Sequence, residues 1–221
     1  MSRRGPSLQP DFPNLEACVQ CTRLAEALAG VRRSSPSFHA RPVPAFGDAV
    51  PRLLIVGLAP GLNGANRTGR PFTGDYAGVL LYETLHKFGW SSAPVSSSRD
   101  DGLAMQGCRI TNAVKCWPPE NKPLPAEVNT CNAYLQAELN ALPDGAAILA
   151  LGQIAHRAVV QGFGLRQAEF SFGHGAQGEL PNARRLFDSY HCSRYNTQTR
   201  RLTASMFEDV FTAIDGFLKR A

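Results

Sequence analysis

Six cysteines give this chain its most distinctive spacing of reactive side chains. Cys18 and Cys21 form a C-x2-C pair, and Cys116 and Cys131 form a C-x14-C pair. Disulfides are disfavoured in a reducing compartment, so cysteines at such spacings favour a metal site. Four thiolates hold either tetrahedral zinc or an iron–sulfur cluster, and the spacing leaves both open. A thioredoxin-like redox pair is less favoured, because that motif begins a helix after a strand and no strand-like segment precedes Cys18.

The other two cysteines have no partner at ligand spacing. We expect Cys108 and Cys192 to be buried and to behave as small apolar side chains. Cys192 follows His191, which raises the question of a Cys–His catalytic pair. Successive side chains of an extended segment point to opposite faces, so these neighbours are poorly placed to act together.

A glycine-rich segment, IVGLAPGLNGANRTGRPFTGD, runs from Ile55 to Asp75. It lacks the Gly-Lys-Ser/Thr of a P-loop and the G-x-G-x-x-G of a dinucleotide site, and no G-x-S-x-G occurs in the chain. Its glycines allow the backbone to turn tightly and to approach a ligand closely. Phe72 is either a core side chain or a ring that stacks on a flat ligand. Asp75 is the N-cap of a following helix, a catalytic carboxylate, or both.

Apolar runs and amphipathic segments alternate along the chain, and these elements must position the reactive residues. The runs predict strands at Leu53–Val56, Ile110–Val114, Ala147–Leu151 and Arg185–Tyr190. Helical spacing predicts helices at Leu15–Leu28, Gly78–Phe88, Ala126–Leu142, residues 154–163 and Thr203–Leu218. Pro125 and Thr203 are suitable start residues for two of them. Strands separated by helices pair in parallel through right-handed crossovers, which predicts an α/β protein: a three-layer α/β/α sandwich around a central, mostly parallel four-stranded sheet.

Ligands of such folds bind beyond the carboxyl ends of the strands. The segments at those positions are Gly57–Gly61, Asn112–Cys116, Gly152–Gln153 and His191–Asn196. We therefore expect the chemistry of this protein to be concentrated there.

The composition narrows the class of protein. The 221 residues are 43% hydrophobic and 19% charged, which excludes a disordered or fibrous chain. We expect one domain over residues 1–221, with a short N-terminal tail of about residues 1–12. No apolar run approaches the ~18 residues of a membrane span, and the first residues lack the apolar core of a secretory signal, so we expect a soluble cytoplasmic protein. The net charge of +5 favours a nucleic-acid partner, although a genome rich in Arg codons explains it equally well.

Four motifs together resemble those of one family. GLAPG, NRTGRPFTGD, TNAVKCWPPENKP and HCSRYNTQT occur in this order and resemble the uracil-DNA glycosylase superfamily over nearly the whole chain. Leu58 stands where family 4 has Glu, and HCSR at residues 191–194 replaces HPSP. Both departures are features of family 5, often called type B. The resemblance implies a monofunctional DNA glycosylase of base excision repair, which excises uracil and other deaminated bases such as hypoxanthine and xanthine.

The resemblance also implies a cofactor and roles for individual residues. A structural [4Fe–4S] cluster would be bound by Cys18, Cys21, Cys116 and Cys131. Asp75 would orient or deprotonate water, Asn121 matches a position linked to catalysis, and His191 would hydrogen-bond O2 of the leaving base. The implied substrate-binding residues are Gly57, Leu58, Ala59, Phe72 and Asn112, and the implied DNA-facing residues are Arg194, Tyr195 and Asn196.

Two of these positions need comment. Asn112 suits the O4 and N3–H edge of uracil, because its amide both donates and accepts. Many family-5 members have a small Ala there, so Asn112 departs from the pattern. Lys115, beside a cluster cysteine, is expected to neutralise phosphate or the cluster.

Other functions remain open at this point. A non-enzymatic iron–sulfur or zinc module that binds nucleic acid or senses redox state would tolerate replacement of Asp75 and His191. A nucleotide-binding α/β enzyme is weakened by the missing phosphate-binding loop. We expect DNA containing deaminated bases as the partner, and a monomer, because no large apolar surface stripe is evident.

Overall fold

The computed structural model describes residues 15–220, and a sheet of six strands lies at the centre of this part of the chain. The spatial order is β1-β3-β2-β4-β6-β5. The four inner strands pair in parallel, and the two outer strands pair antiparallel at opposite edges. The strands are β1 (Phe46–Gly47), β2 (Leu53–Gly57), β3 (Cys108–Asn112), β4 (Ala147–Leu151), β5 (Gln177–Glu179) and β6 (Arg185–Ser189).

Helices connect the strands and cover both faces of the sheet. They are α1 (Thr22–Ser34), α2 (Ala65–Thr68), α3 (Tyr76–Lys87), α4 (Pro125–Asn140), α5 (Gln153–Gly162), α6 (Arg194–Gln198) and α7 (Ala204–Leu218). Short 3-10 turns occur at Leu15–Ala17, Pro119–Asn121 and Gln167–Glu169. None of the helices described is both long and apolar enough to cross a bilayer.

The alternation of β2 side chains divides the core into two layers. Leu53 and Ile55 belong to a cluster with α3 and α7, whereas Leu54 and Val56 belong to a cluster with α4 and α5. Every residue of β2 and β4 is buried, which is why these strands are continuous apolar runs rather than alternating ones. The three-layer α/β/α prediction is confirmed, and its four parallel strands are the inner strands of the sheet.

The two outer strands were not predicted. β1 has two residues and β5 has three, so neither is long enough to give a hydrophobic pattern. The sequence therefore predicted four strands where the described part of the chain has six, and the two missing ones are the edge strands β1 and β5. The predicted tail at residues 1–12 lies outside the described residues, and the single-domain division over 1–221 stays a prediction.

The start of the first helix was predicted wrongly. The apolar spacing predicted a helix over Leu15–Leu28, but α1 begins at Thr22 and continues to Ser34. Cys21 is its N-cap, with an extended backbone at φ −102° and ψ 96°. The C-x2-C pair therefore lies in the turn before α1 and not within a helix. By contrast, α4 starts at Pro125 and α7 is capped by Thr203, as predicted.

Candidate active site

A cavity of about 550 Å³ opens where the parallel strands end. Segments that follow β2, β3 and β6 contribute to its wall, as expected for this class of sheet. Six sequence-predicted polar or aromatic residues line this one cavity: Phe72, Asp75, Asn112, Asn121, His191 and Arg194. Leu58 and Ala59 line it as well, so the first loop contributes no acid to the wall.

Asp75 is held at this cavity by the start of α3. It is the N-cap, and its Oδ1 accepts a hydrogen bond from the Gly78 amide at 3.2 Å. Burial raises the pKa of Asp75 above its ordinary value, and hydrogen bonds from the Gly78 and Ala77 amides partly oppose this. The capping role predicted from sequence is thus confirmed, and one carboxylate oxygen remains free of that cap bond.

Gly64 lies directly against Asp75. A Cβ added at Gly64 would be 2.8 Å from both Cβ and Cγ of Asp75, and it would also clash with Oδ2. Only glycine therefore allows the loop after β2 to pack this closely on the carboxylate.

The rings of Phe72 and His191 stack on each other in the wall of the cavity. Their ring centroids are 5.9 Å apart, with 27° between the ring planes. Phe72 has a φ of +54°, a left-handed conformation that is rare for an aromatic residue. Its segment is held by the Tyr82 hydroxyl, which donates to the Pro71 carbonyl at 3.0 Å. This left-handed conformation places Phe72 in the wall of the cavity beside His191.

A network behind the Phe72 loop keeps it in place. Arg70 is buried and donates to Oδ1 of Asp101 at 2.7 Å and to Oγ of Ser96 at 3.0 Å. The hydroxyls of Ser96 and Thr73 lie 2.7 Å apart. The serine-rich loop around residue 96 thus buttresses the segment that carries Phe72 and Asp75.

Burial lowers the pKa of His191 to about 4. The imidazole is therefore neutral at physiological pH, with one N–H donor and one acceptor nitrogen. The side-chain amide of Asn196 donates to the His191 carbonyl at 2.8 Å, which fixes the backbone that carries the ring.

Asn112 ends β3 and is buried at the floor of the cavity. Gly57, its register partner on β2, makes room for it. A Cβ at Gly57 would clash with Oδ1 of Asn112 and lie 2.6 Å from Cζ of Phe72. The absence of a side chain at Gly57 therefore allows Asn112 and Phe72 to occupy their positions in the cavity wall.

Comparison with known proteins agrees with this geometry. The profile of the uracil DNA glycosylase superfamily matches residues 44–215. The chain belongs to the uracil-DNA glycosylase superfamily. The Type-5 uracil-DNA glycosylase of Thermus thermophilus is 49% identical over 201 residues, covering 89% of this chain and 91% of the relative. That of Pyrobaculum aerophilum is 42% identical over 207 residues, covering 90% and 89%.

More distant comparisons are consistent with these. The Type-4 uracil-DNA glycosylase of Thermotoga maritima is 29% identical over 177 residues, covering 79% of this chain and 81% of the relative. The crystal structure of wild-type SMUG2 from Pedobacter heparinus matches with a TM-score of 0.51 and 15% identity, covering 79% and 78%. The structural match supports the fold. The Type-5 relatives confirm the family-5 resemblance drawn from the motifs.

The residues predicted to face DNA lie on α6, beside the cavity. Arg194 lines the cavity, and its guanidinium carbon is 5.8 Å from the centroid of the Tyr76 ring. Tyr195 is 70% exposed. Asn196 differs from these two, because its amide is already bonded to the His191 carbonyl inside the protein. DNA contact by Arg194, Tyr195 and Asn196 stays a prediction for this family member.

The four paired cysteines line a second, much smaller cavity of about 20 Å³. They come from the turn before α1 (Cys18, Cys21), the segment after β3 (Cys116) and α4 (Cys131). Burial raises the pKa of Cys131 to about 11. Burial also raises the pKa of Cys116, and the neighbouring thiols raise it further. Across residues 15–220, no three His, Cys, Asp or Glu side chains are grouped so as to hold one metal ion.

The remaining cysteines are as predicted. Cys108 and Cys192 are buried in the layer that contains α3 and α7. Burial and the nearby Asp75 carboxylate raise the pKa of Cys192 to about 12. Cys192 is thus a protonated thiol, which removes the Cys–His pair as a nucleophile.

Lys115 was expected to neutralise phosphate or the cluster. Its burial contradicts the phosphate role, and the cluster role stays a prediction. Lys115 is 1% exposed, and its Nζ is paired with Glu138 at 2.9 Å and bonded to the Thr111 hydroxyl. Sequence reasoning missed this partner because it lies 23 residues away on α4. The Lys115 backbone amide does touch the cysteine group, donating to Sγ of Cys131 at 3.3 Å.

Sequence reasoning also missed several residues of the cavity wall, among them Tyr76 and Ser193. Tyr76 is 46% exposed, lines the cavity and lies under Arg194. Ser193 lines it and caps α6, accepting from the Asn196 amide at 3.4 Å. Tyr76 directly follows Asp75, and Ser193 directly precedes Arg194. These positions next to predicted site residues were the signal in the sequence that could have indicated them.

Proposed function

We propose that this protein is a monofunctional DNA glycosylase that extrudes uracil from DNA and hydrolyses its N-glycosidic bond in base excision repair. The observation that carries the proposal is the convergence of Phe72, Asp75, Asn112 and His191 on one cavity. The names of the Type-5 relatives support uracil-DNA glycosylase activity in particular. Because a glycosylase must take its base out of the stack, a cavity of about 550 Å³ at the protein surface suits this chemistry.

The extruded base is bound by a ring face and an amide. Phe72 offers its face for stacking, and the Asn112 amide supplies the donor and the acceptor that the O4 and N3–H edge of uracil requires. Both groups are held by tight packing against Gly57, so the base is read by side chains with fixed positions.

Cleavage leaves positive charge on the sugar and negative charge on the base, as in other glycosyl hydrolyses. The C1′–N bond breaks with its electron pair passing to the base. Water adds to C1′ and transfers a proton to the Asp75 carboxylate, which also stabilises the sugar cation. The neutral His191 donates a hydrogen bond to O2 of the departing base. A well-placed donor of this kind contributes about 2.7–4 kcal/mol to the transition state.

Asn121 extends this machinery at the rim of the cavity, where it is exposed and able to bind the attacking water or the sugar. Arg194 and Tyr195 would contact the DNA around the extruded nucleotide, through phosphate binding or by filling the vacated stack.

We extend the proposal to hypoxanthine and xanthine. The side chains of Leu58 and Ala59, which line the cavity, are apolar and do not select uracil alone. Asn112 is the residue that favours uracil, so the relative rates on the three bases report its influence.

We further propose that Cys18, Cys21, Cys116 and Cys131 bind a [4Fe–4S] cluster. All four thiols line one cavity, which fits a shared inorganic centre. Four thiols at one site suit either tetrahedral zinc or an iron–sulfur cluster, and the family-5 resemblance of the motifs favours the cluster. The cluster would crosslink the turn before α1, the segment after β3 and α4, and no catalytic step passes through it. Iron and sulfide analysis of the purified protein tests this, and one equivalent of zinc would contradict it.

The function is tested with oligonucleotides that contain uracil, hypoxanthine or xanthine. After incubation and alkali, strand breaks at the modified base are expected with the wild type and not with Asp75→Asn. Borohydride should trap no covalent DNA adduct, because no lysine takes part. A protein that binds DNA but yields no breaks on any base would instead be the non-enzymatic nucleic-acid-binding module or redox sensor. We expect the enzyme to act as a monomer on the chromosome in the cytoplasm.

A further inference from the structure

The turn that carries Asn121 has an unfavourable backbone. Glu120 and Asn121 have φ values of +58° and +57°, so two consecutive non-glycine residues adopt the left-handed conformation. Such a conformation persists only when surrounding contacts impose it. Within the turn, the Asn121 amide donates to the Pro118 carbonyl at 2.9 Å. The Lys122 amide also donates to the Pro119 carbonyl at 3.2 Å. Both bonds lie within the turn, so contacts with other elements must hold the turn in place against the rest of the fold.

A distant arginine supplies those contacts. Arg23 lies on α1, and its Nε and Nη2 donate to Oε1 and Oε2 of Glu127, each at 2.7 Å. The same Nη2 donates to the carbonyl of Lys122, the residue after Asn121, at 3.1 Å. Glu127 in turn accepts from the Leu124 amide at 2.7 Å. Arg23 and Glu127 therefore hold the chain immediately after Asn121 at two backbone positions.

We infer that the Arg23–Glu127 pair positions Asn121 at the active-site rim, so that Arg23 is a positioning residue for the reaction. The inference rests on the proposed function, in which Asn121 takes part in catalysis. It also connects the cysteine site to the active site. Arg23 is two residues beyond Cys21, and α1 packs through Leu24 and Leu28 on the layer that contains the four thiols.

The geometry requires arginine rather than any cation. A planar guanidinium binds both carboxylate oxygens and still reaches the Lys122 carbonyl, whereas a lysine ammonium is a single point of charge. Arg23→Lys thus keeps the charge and removes the fork. Arg33→Lys is the matched control, because Arg33 is an exposed residue in the last turn of the same helix.

The test is a double-mutant cycle on single-turnover release of uracil from an oligonucleotide. We expect Arg23→Lys to lower the maximal rate about tenfold with little change in KM, because a displaced group loses alignment more than binding. In an Asn121→Ala background Arg23→Lys should have almost no further effect, since residues that act through one another are not additive. Arg33→Lys should match the wild type, and Glu127→Gln should behave as Arg23→Lys does.

The outcomes separate this inference from the proposed function. If the wild type releases none of the three bases, the proposed function fails. If the wild type is active but Arg23→Lys is as fast as Arg33→Lys, the inference fails and the proposed function stands. The same conclusion follows if Arg23→Lys lowers the rate of the Asn121→Ala variant by the same factor as it lowers the rate of the wild type. An Asn121→Ala variant as active as the wild type also overturns it. Iron content and melting temperature are measured on each variant, and a rate loss that follows loss of iron rather than Asn121 contradicts the inference.

Discussion

Gly64 offers a direct way to displace the Asp75 carboxylate without changing its chemistry. In Gly64→Ala the new Cβ would be 2.8 Å from Cβ and Cγ of Asp75, with Oδ2 closer still. Ordinary carbon contacts begin near 3.5 Å, so one side must move by about 0.7 Å or more. Asp75 has little freedom to yield elsewhere, because its Oδ1 caps α3.

The size of the effect follows from that displacement. A misplacement of about 1 Å at a reacting group costs on the order of 100-fold in rate. We therefore expect Gly64→Ala to lower the single-turnover rate of uracil excision by roughly 30- to 100-fold. Loss of the cap bond would cost about 1 kcal/mol of folding stability, which leaves the variant folded.

The matched control is Gly30→Ala, at a glycine in α1 with nothing within 4 Å of the added Cβ. It should keep the full rate and gain about 0.5–1 kcal/mol of stability, as Gly→Ala in a helix interior does. A Gly64→Ala enzyme as fast as Gly30→Ala would refute the reasoning, because the position of Asp75 would then not limit the reaction.

Three further predictions use the same assay. His191→Ala should lose about 100-fold or more in rate with the binding of DNA retained, and a loss below about fivefold would remove His191 from transition-state stabilisation. The rate of the wild type should fall as the pH drops through the pKa of Asp75, and because that pKa is raised, the fall should occur at a higher pH than for an ordinary carboxyl group. His191 has a pKa of about 4 and is therefore neutral at pH values above 4. A rate that falls only below the ordinary carboxyl range would contradict this. Asn112→Ala should slow uracil excision more than hypoxanthine excision, and an equal loss on both would show that Asn112 does not select the base.

Much of the fold was predictable because its signals are local. The inner strands are short apolar runs, and Asp75, Pro125 and Thr203 mark helix starts by their chemistry. The site followed from the rule that parallel strands end at one edge, which brought together loops that are far apart in the sequence.

The features that were missed are tertiary. Arg23 meets Glu127 across 104 positions, and Lys115 meets Glu138 across 23, so no local pattern indicates either pair. Cys21 was placed inside a helix because apolar spacing continues through the turn that precedes α1. Packing in three dimensions decides these cases.

The central claim is that the N-glycosidic bond of an extruded uracil nucleotide is hydrolysed in the cavity lined by Asp75, Asn112 and His191. Its most direct test is mass-spectrometric detection of the free base after the wild-type protein meets a uracil-containing oligonucleotide in single turnover. The account predicts one equivalent of free uracil per uracil-containing oligonucleotide, and none from Asp75→Asn over the same period. No free uracil from the wild type, or an equal yield from both proteins, would contradict it.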